Sequence, residues 1–193
     1  EAEPLGRTIA FIGAKGGVGS STLAHNCAWG ISNLFSTEVV LADLDLPYGP
    51  ANINFDQDPP SGIAEAVFAP ERLDEVFLDR LLTRCSERLS LLAAPSMLDR
   101  AYDFEPAAFQ PLTELLQRNA PVSVLDVPHQ WSEWTRNVLA EADEVVVTAV
   151  PDLANLRNAK NLFDCLKKLR PNDKMPHLVL NQVGMPKRPE ITP

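Results

Sequence analysis

Three glycines in four residues, set between a strand and a helix, constrain this chain more than any other feature. They lie in the run FIGAKGGVGSST, residues 11–22. Residues 7–12 read as a short buried strand and residues 21–34 as a helix. A glycine-rich turn there is a ready-made cradle for a phosphate: consecutive backbone N–H groups turn inward, and the helix dipole adds partial positive charge. A bare turn with no ligand would leave the glycines unexplained.

At 193 residues the chain has room for one α/β domain with a substantial core and little for a second, so residues 1–193 are expected to form one nucleotide-binding unit. The absence of an initiator methionine and the Pro-rich polar tail suggest that this unit was excised from a longer protein. No apolar run is long enough for a membrane span, and Glu1 and Glu3 stand where a signal peptide would be basic. Cys27, Cys85 and Cys165 are far apart, which suits reduced core thiols in a cytoplasmic protein. Residues 1–150 carry 9 Lys and Arg against 22 Asp and Glu, a net of −13, which disfavours sequence-independent DNA binding. Residues 151–193 carry 8 against 4, a net of +4, and that basic end fits either anionic lipid, an acidic partner or a plain solvated face. Lys15 is the only lysine among the first 150 residues.

Further strands are expected at residues 37–41, 89–92, 121–126, 144–150 and 175–181. The EVVVTAV run at 144–150 is apolar enough to be buried on both faces, as in a parallel sheet. Residues 48–60 and 96–105 read as loops. Ser61 reads as the cap of a short helix, and residues 72–82 and 106–117 have a helical period. Another helix closes at 138–142, and Pro151-Asp152 opens one with Leu153, Leu156, Ala159, Leu162, Phe163 and Leu166 as its apolar stripe. The alternation implies a doubly wound, mostly parallel α/β sheet with helices on both faces.

The loop comes near the pattern G-x-x-x-x-G-K-[ST], with Ala14 for the opening glycine, Ser20 for the lysine and Ser21 at the position that would hold Mg²⁺. Asp43 and Asp45 end a strand, where open α/β sheets place ligands; they suit Mg²⁺-bound and nucleophilic water, or are solvated loop acids. Asp126 closes the apolar run VSVLD, from which an acid can hold Mg²⁺ through water. His129 lies at the expected rim, where a structural role is the commoner one, and Trp131 and Trp134 fit either an interface patch or helix packing.

The run KGGVGSST resembles the deviant Walker A of the MinD/ParA family of P-loop ATPases, K-G-G-x-G-K-[ST]. With Ser20 for the second lysine it looks most like the CpaE/TadZ branch of Flp/Tad pilus-assembly and pole-localisation proteins. The resemblance runs in motif order from Lys15 to Asn181. It implies ATP or ADP with Mg²⁺ on Gly16, Gly17, Val18, Gly19, Ser20, Ser21 and Thr22, and a metal shell of Ser21, Asp43 and Asp126. It also implies a water-orienting Asp45 and a Lys15 that reaches across an ATP-dependent homodimer. Asn181, a turn-closing residue on its own, becomes the implied reader of the adenine base. The family further implies a switch that places a pilus or secretion machine at the inner membrane or cell pole. Ser20 leaves open a slow ATPase or a non-hydrolysing scaffold. Partition and cell-division ATPases share the motifs, and Thr22 at the third glycine position excludes a dinucleotide-binding G-x-G-x-x-G.

Overall fold

The computed structural model describes residues 4–59, 62–95, 98, 101–186 and 191. Seven strands form one sheet among them: β1 (Arg7–Gly13), β2 (Val39–Asp43), β3 (Thr83–Arg84), β4 (Leu89–Leu92), β5 (Val122–Asp126), β6 (Glu144–Ala149) and β7 (His177–Leu180). Their spatial order is β3-β4-β2-β5-β1-β6-β7. Every neighbouring pair is parallel except β3 with β4. β2 and β5, buried almost end to end, are the Val/Leu-rich strands that a sheet covered on both faces demands. β5 inserts between β2 and β1, so the carboxyl ends of these three strands meet where the strand order reverses, the place at which such sheets bind ligands.

The described helices are α1 (Ser20–Leu34), α2 (Ala51–Asn54), α3 (Ile63–Phe68), α4 (Glu75–Leu81), α5 (Gln110–Asn119), α6 (Glu133–Glu141) and α7 (Leu153–Leu169). α1 lays Ala24 and Ala28 against Phe11, Leu41, Leu91 and Val124 on one face of the sheet. The opposite face is covered by α3 to α7, with Leu78, Phe109, Leu112, Leu116, Trp134, Leu139 and Leu166 in one apolar layer. Truncating a buried leucine such as Leu112 there would cost about 2–5 kcal/mol. α4, α6 and α7 start on side-chain caps: Asp74 accepts from the Phe77 N–H, Ser132 from Thr135 and Asp152 from Asn155.

Several boundaries and elements differ from expectation. β2 starts at Val39 and runs on to Asp43, so that acid is a strand residue. The expected loop at 48–60 contains α2, whose first N–H, from Ala51, is taken by the Asp43 carboxylate at 3.0 Å. Helix α3 starts after Gly62, and the expected cap Ser61 lies outside the described residues. The helical period at 72–82 divides into a 3₁₀ turn (Pro70–Arg72) and α4, and the helix expected from residue 106 becomes regular at Gln110. β3 has no counterpart in the expected strands. In the α7 stripe Ala159 and Leu166 are buried, but Leu153 is 76% and Leu156 58% exposed. Trp134 is buried, its ring stacked on Phe109 at 4.5 Å, while Trp131 stands half exposed. The three cysteines are free and half-buried rather than core residues. Among the described residues no helix is long and apolar enough to cross a membrane.

Candidate functional site

The loop between β1 and α1 is fastened by its carbonyl oxygens. His129 Nδ1 lies 2.9 Å from the Gly13 oxygen, Asn158 Nδ2 donates to Ala14 at 2.9 Å, and Asn181 Nδ2 donates to Val18 at 2.8 Å. Gln182 Nε2 meets the Gly17 oxygen at 3.5 Å. With carbonyls held from outside, the loop is fixed in shape by side chains from β5's end, α7 and β7's end. Gly19, at φ 90°, is the N-cap of α1, and an added Cβ there would lie 2.5 Å from Asn181 Nδ2. The left-handed backbone and the close amide both require glycine.

α1 begins without a side-chain cap and without an acidic residue in its first turn. Its leading N–H groups and dipole are therefore not neutralised by the helix's own side chains, the condition for holding an anion. Ser20 Oγ is buried with no hydrogen-bond partner among the described residues, an orphan polar atom at the same mouth. Ser20 and Ser21 are thus placed at the first turn, Thr22 follows them, and Gly16, Gly17 and Val18 form the turn before it.

The acids arrive from β2 and β5. Asp43 and Asp126 are register partners in adjacent parallel strands and so project to the same face, the one covered by α1. Ser21 Oγ donates to Asp126 Oδ1 at 3.2 Å. The Asp43 carboxylate is wholly buried; it accepts the N–H groups of Asp45 at 3.1 Å and Ala51 at 3.0 Å, and Gly49 packs directly against its oxygens. Burial foremost, then the charge of Asp126, raises the Asp43 carboxyl to about 7, against the opposing pull of its two backbone hydrogen bonds and His25. Asp45 is half-buried and is also raised, chiefly by burial. The hard oxygens of Ser21, Asp126 and Asp43 suit Mg²⁺. The orphaned Ser20 hydroxyl and the uncapped helix suit a phosphate, so the residues present fit a nucleotide with its metal.

His25 was not among the residues expected from the sequence. It is 4% exposed, and its Nε2 lies 2.9 Å from Asp126 Oδ2 while Nδ1 lies 2.9 Å from Asn54 Nδ2. The signal available was its spacing: four residues after Ser21 places it on the same helix face. His25, Asp43 and Asp126 each bring one ligand atom into a group spanning no more than 4.8 Å. Lys15 is instead exposed at the loop's apex. The Asp152 carboxyl is held below its usual range by hydrogen bonds from Asn155, with a smaller contribution from the Lys15 charge. Asn181 reaches the loop rather than standing clear of it, with its amide nitrogen engaged at Val18 and its own N–H given to Ala149. His129 has a structural role beneath the loop.

No protein-family model matches the chain. It is 26% identical over 167 residues, 84% of its length, to the septum site-determining protein MinD of Synechocystis sp., and spans 60% of that relative. A ParA family ATPase from Chlorobium tepidum TLS superposes with a TM-score of 0.80 at 25% identity, over 91% of this chain and 73% of the other. A cobyrinic acid a,c-diamide synthase from Mycobacterium smegmatis, solved with bound ATP analogue and magnesium, superposes with a TM-score of 0.70 at 22% identity, over 90% and 70%. The chain has the α/β fold of the MinD/ParA P-loop ATPases.

Proposed function

We propose that the chain binds ATP with Mg²⁺ on the glycine-rich loop and acts as a slow, ATP-driven dimerisation switch. In this reading it is a cytoplasmic protein, peripheral at the inner membrane or cell pole, that positions a pilus or secretion assembly machine. The observation that carries the nucleotide reading is the Ser21–Asp126 pair at the foot of an uncapped helix. The ATP analogue and magnesium held by the structurally similar synthase support the same ligand class.

Each residue has a role in this scheme. Gly16 to Thr22 would cradle the phosphates, Ser21, Asp43 and Asp126 would hold the metal, and Asp43 also fixes the strand end and the turn behind it. Asp45 orients the attacking water, Asn181 stands beside the base and Lys15 acts across the dimer. When bound, ATP·Mg²⁺ supplies the phosphoryl bond and the charge that the metal neutralises. The missing second lysine sets the rate: an ammonium ~4 Å from a phosphate oxygen is worth up to ~4 kcal/mol at an effective dielectric near 20. Each ~1.4 kcal/mol that acts on the transition state is tenfold in rate. Ser20 keeps a hydroxyl but no charge, so hydrolysis is expected one to three decades below that of a lysine-bearing loop. Ser20 within KGGVGSST also favours the pilus branch by its resemblance to CpaE/TadZ.

The second reading is a partition or cell-division ATPase, favoured by the ParA and MinD likenesses and opposed, for DNA partition, by the acidic body. A non-hydrolysing scaffold is a third. Steady-state ATP turnover decides the catalytic part: Ser20→Lys should raise it about tenfold to a thousandfold. No change would point to the scaffold. Polar foci of a fluorescent fusion that depend on Asp126 would support the positioning role; diffuse or nucleoid-bound fluorescence would remove it.

A further inference from the structure

Ser21 and His25, one helical turn apart on α1, take opposite oxygens of a single carboxylate. Ser21 Oγ reaches Asp126 Oδ1, and His25 Nε2 reaches Oδ2. The contacts continue beyond the imidazole. His25 Nδ1 meets the Asn54 amide nitrogen, Asn54 closes α2, and α2 opens on Ala51, whose N–H is held by Asp43. Asp43 is in turn the register partner of Asp126, so the path is a closed ring. Phe55 covers the imidazole, with ring centroids 5.9 Å apart. An amide nitrogen can only donate, so we read Asn54 as the donor to Nδ1, which assigns a ring N–H to Nε2, 2.9 Å from Asp126 Oδ2.

We propose that His25 is a positioning residue that holds Asp126 with Oδ1 turned towards Ser21 and links that carboxylate, through Asn54, to the turn between Asp45 and α2. This rests on the reading that Ser21 and Asp126 hold the divalent cation. A ligating carboxylate needs its second oxygen fixed, and loss of such an outer partner typically lowers metal affinity by about ten- to a hundredfold. The turn carries Asp45, so the ring joins the metal side of the site to the residue assigned to the attacking water. Occupancy at Asp126 and the placement of Asp45 then become one event.

The test is calorimetric binding of ADP with Mg²⁺ and with EDTA, on wild type and on His25→Ala, His25→Gln, His25→Asn and Asn54→Ala. A glutamine amide nitrogen can stand in for Nε2, and an asparagine amide only for Nδ1. His25→Ala and His25→Asn should lose about ten- to a hundredfold of the Mg²⁺-dependent affinity with the EDTA value unchanged, and His25→Gln should retain it within a few fold. Asn54→Ala should weaken it by less than His25→Ala. In nucleotide-free protein, ¹⁵N imidazole spectra should show the proton on Nε2. Equal affinities for the glutamine and asparagine variants, or a proton on Nδ1 alone, overturn the inference. Should His25→Ala fail to fold, the glutamine–asparagine pair decides. A wild-type protein whose ADP affinity ignores Mg²⁺ overturns the Ser21–Asp126 reading itself, and the inference falls with it.

Discussion

On the acid side of the glycine-rich loop, Asp43, Asp126 and His25 are almost wholly buried and Ser21 is hydrogen-bonded to Asp126, whereas on the basic side Lys15 stands exposed at the apex. The acid side is assembled from a strand pair, a helix face and a turn that all belong to the packed fold. Its geometry is therefore set before any ligand arrives, and the fold bears the cost of burying carboxylates. The Lys15 side chain carries no such cost and, unlike the loop backbone that bears it, no such fixing. A lysine outside the core remains free to be ordered by nucleotide or by a second copy of the chain, which is the role proposed for it.

The largest expected effect breaks the acid side by titrating it. Asp43 has a folded-state value of about 7, well above its ordinary 3.8, because burial and Asp126 oppose its charge. Between those values the folded state binds more protons than the unfolded one, so stability is fully present below about pH 4 and falls as pH rises through 7. Each tenfold difference in proton affinity between the two states is worth ~1.4 kcal/mol, which amounts to a few kcal/mol in the nucleotide-free protein. Urea unfolding from pH 4 to 8 should show this decline, and Asp43→Asn should flatten it; an unchanged slope in the variant would place the titration elsewhere.

A smaller effect is expected at the joint between the two sides. Gly19→Ala forces a side chain onto a left-handed backbone and into the Asn181 amide that holds the Val18 carbonyl. A loss of about 1–3 kcal/mol is expected from the strain, read as a shift in denaturation midpoint. A change inside about 0.5 kcal/mol would mean that the loop is not held in this shape.

The basic side should give the smallest stability effect. Lys15→Ala, at an exposed position, should leave stability within about 0.5 kcal/mol while lowering turnover and ATP-dependent association. If binding, turnover and association all survive, Lys15 has no part in the site.

The strand–loop–helix core of the fold was legible because buried parallel strands are unbroken apolar runs, and an acid closing such a run stands out. Asp43 and Asp126 are visible in the sequence on those grounds, and Gly19 and Ser21 through the glycine-rich run they belong to. The ring through His25 is not, because a histidine on an otherwise apolar helix face looks like a core residue until its partner is known. Asn54 is hidden in a Pro- and Asn-rich stretch, where four residues turn helical and Asp43, distant in sequence, takes the first N–H. β3 is two residues long and exists through its antiparallel pairing with β4, which no local pattern records. In α7 the apolar period identifies a helix correctly but not its cover, since Leu153 and Leu156 at its start are exposed. Periodicity reports which face is apolar; contact across the sheet decides how much of it is buried.

Calorimetry of the wild-type chain with ATP and ADP in the presence of Mg²⁺, run beside sizing of each complex, decides whether the glycine-rich loop is a nucleotide switch. Saturable, Mg²⁺-dependent binding of both nucleotides is expected, with a dimer for ATP and none for ADP. Absence of nucleotide binding, or binding indifferent to Mg²⁺, would contradict that reading.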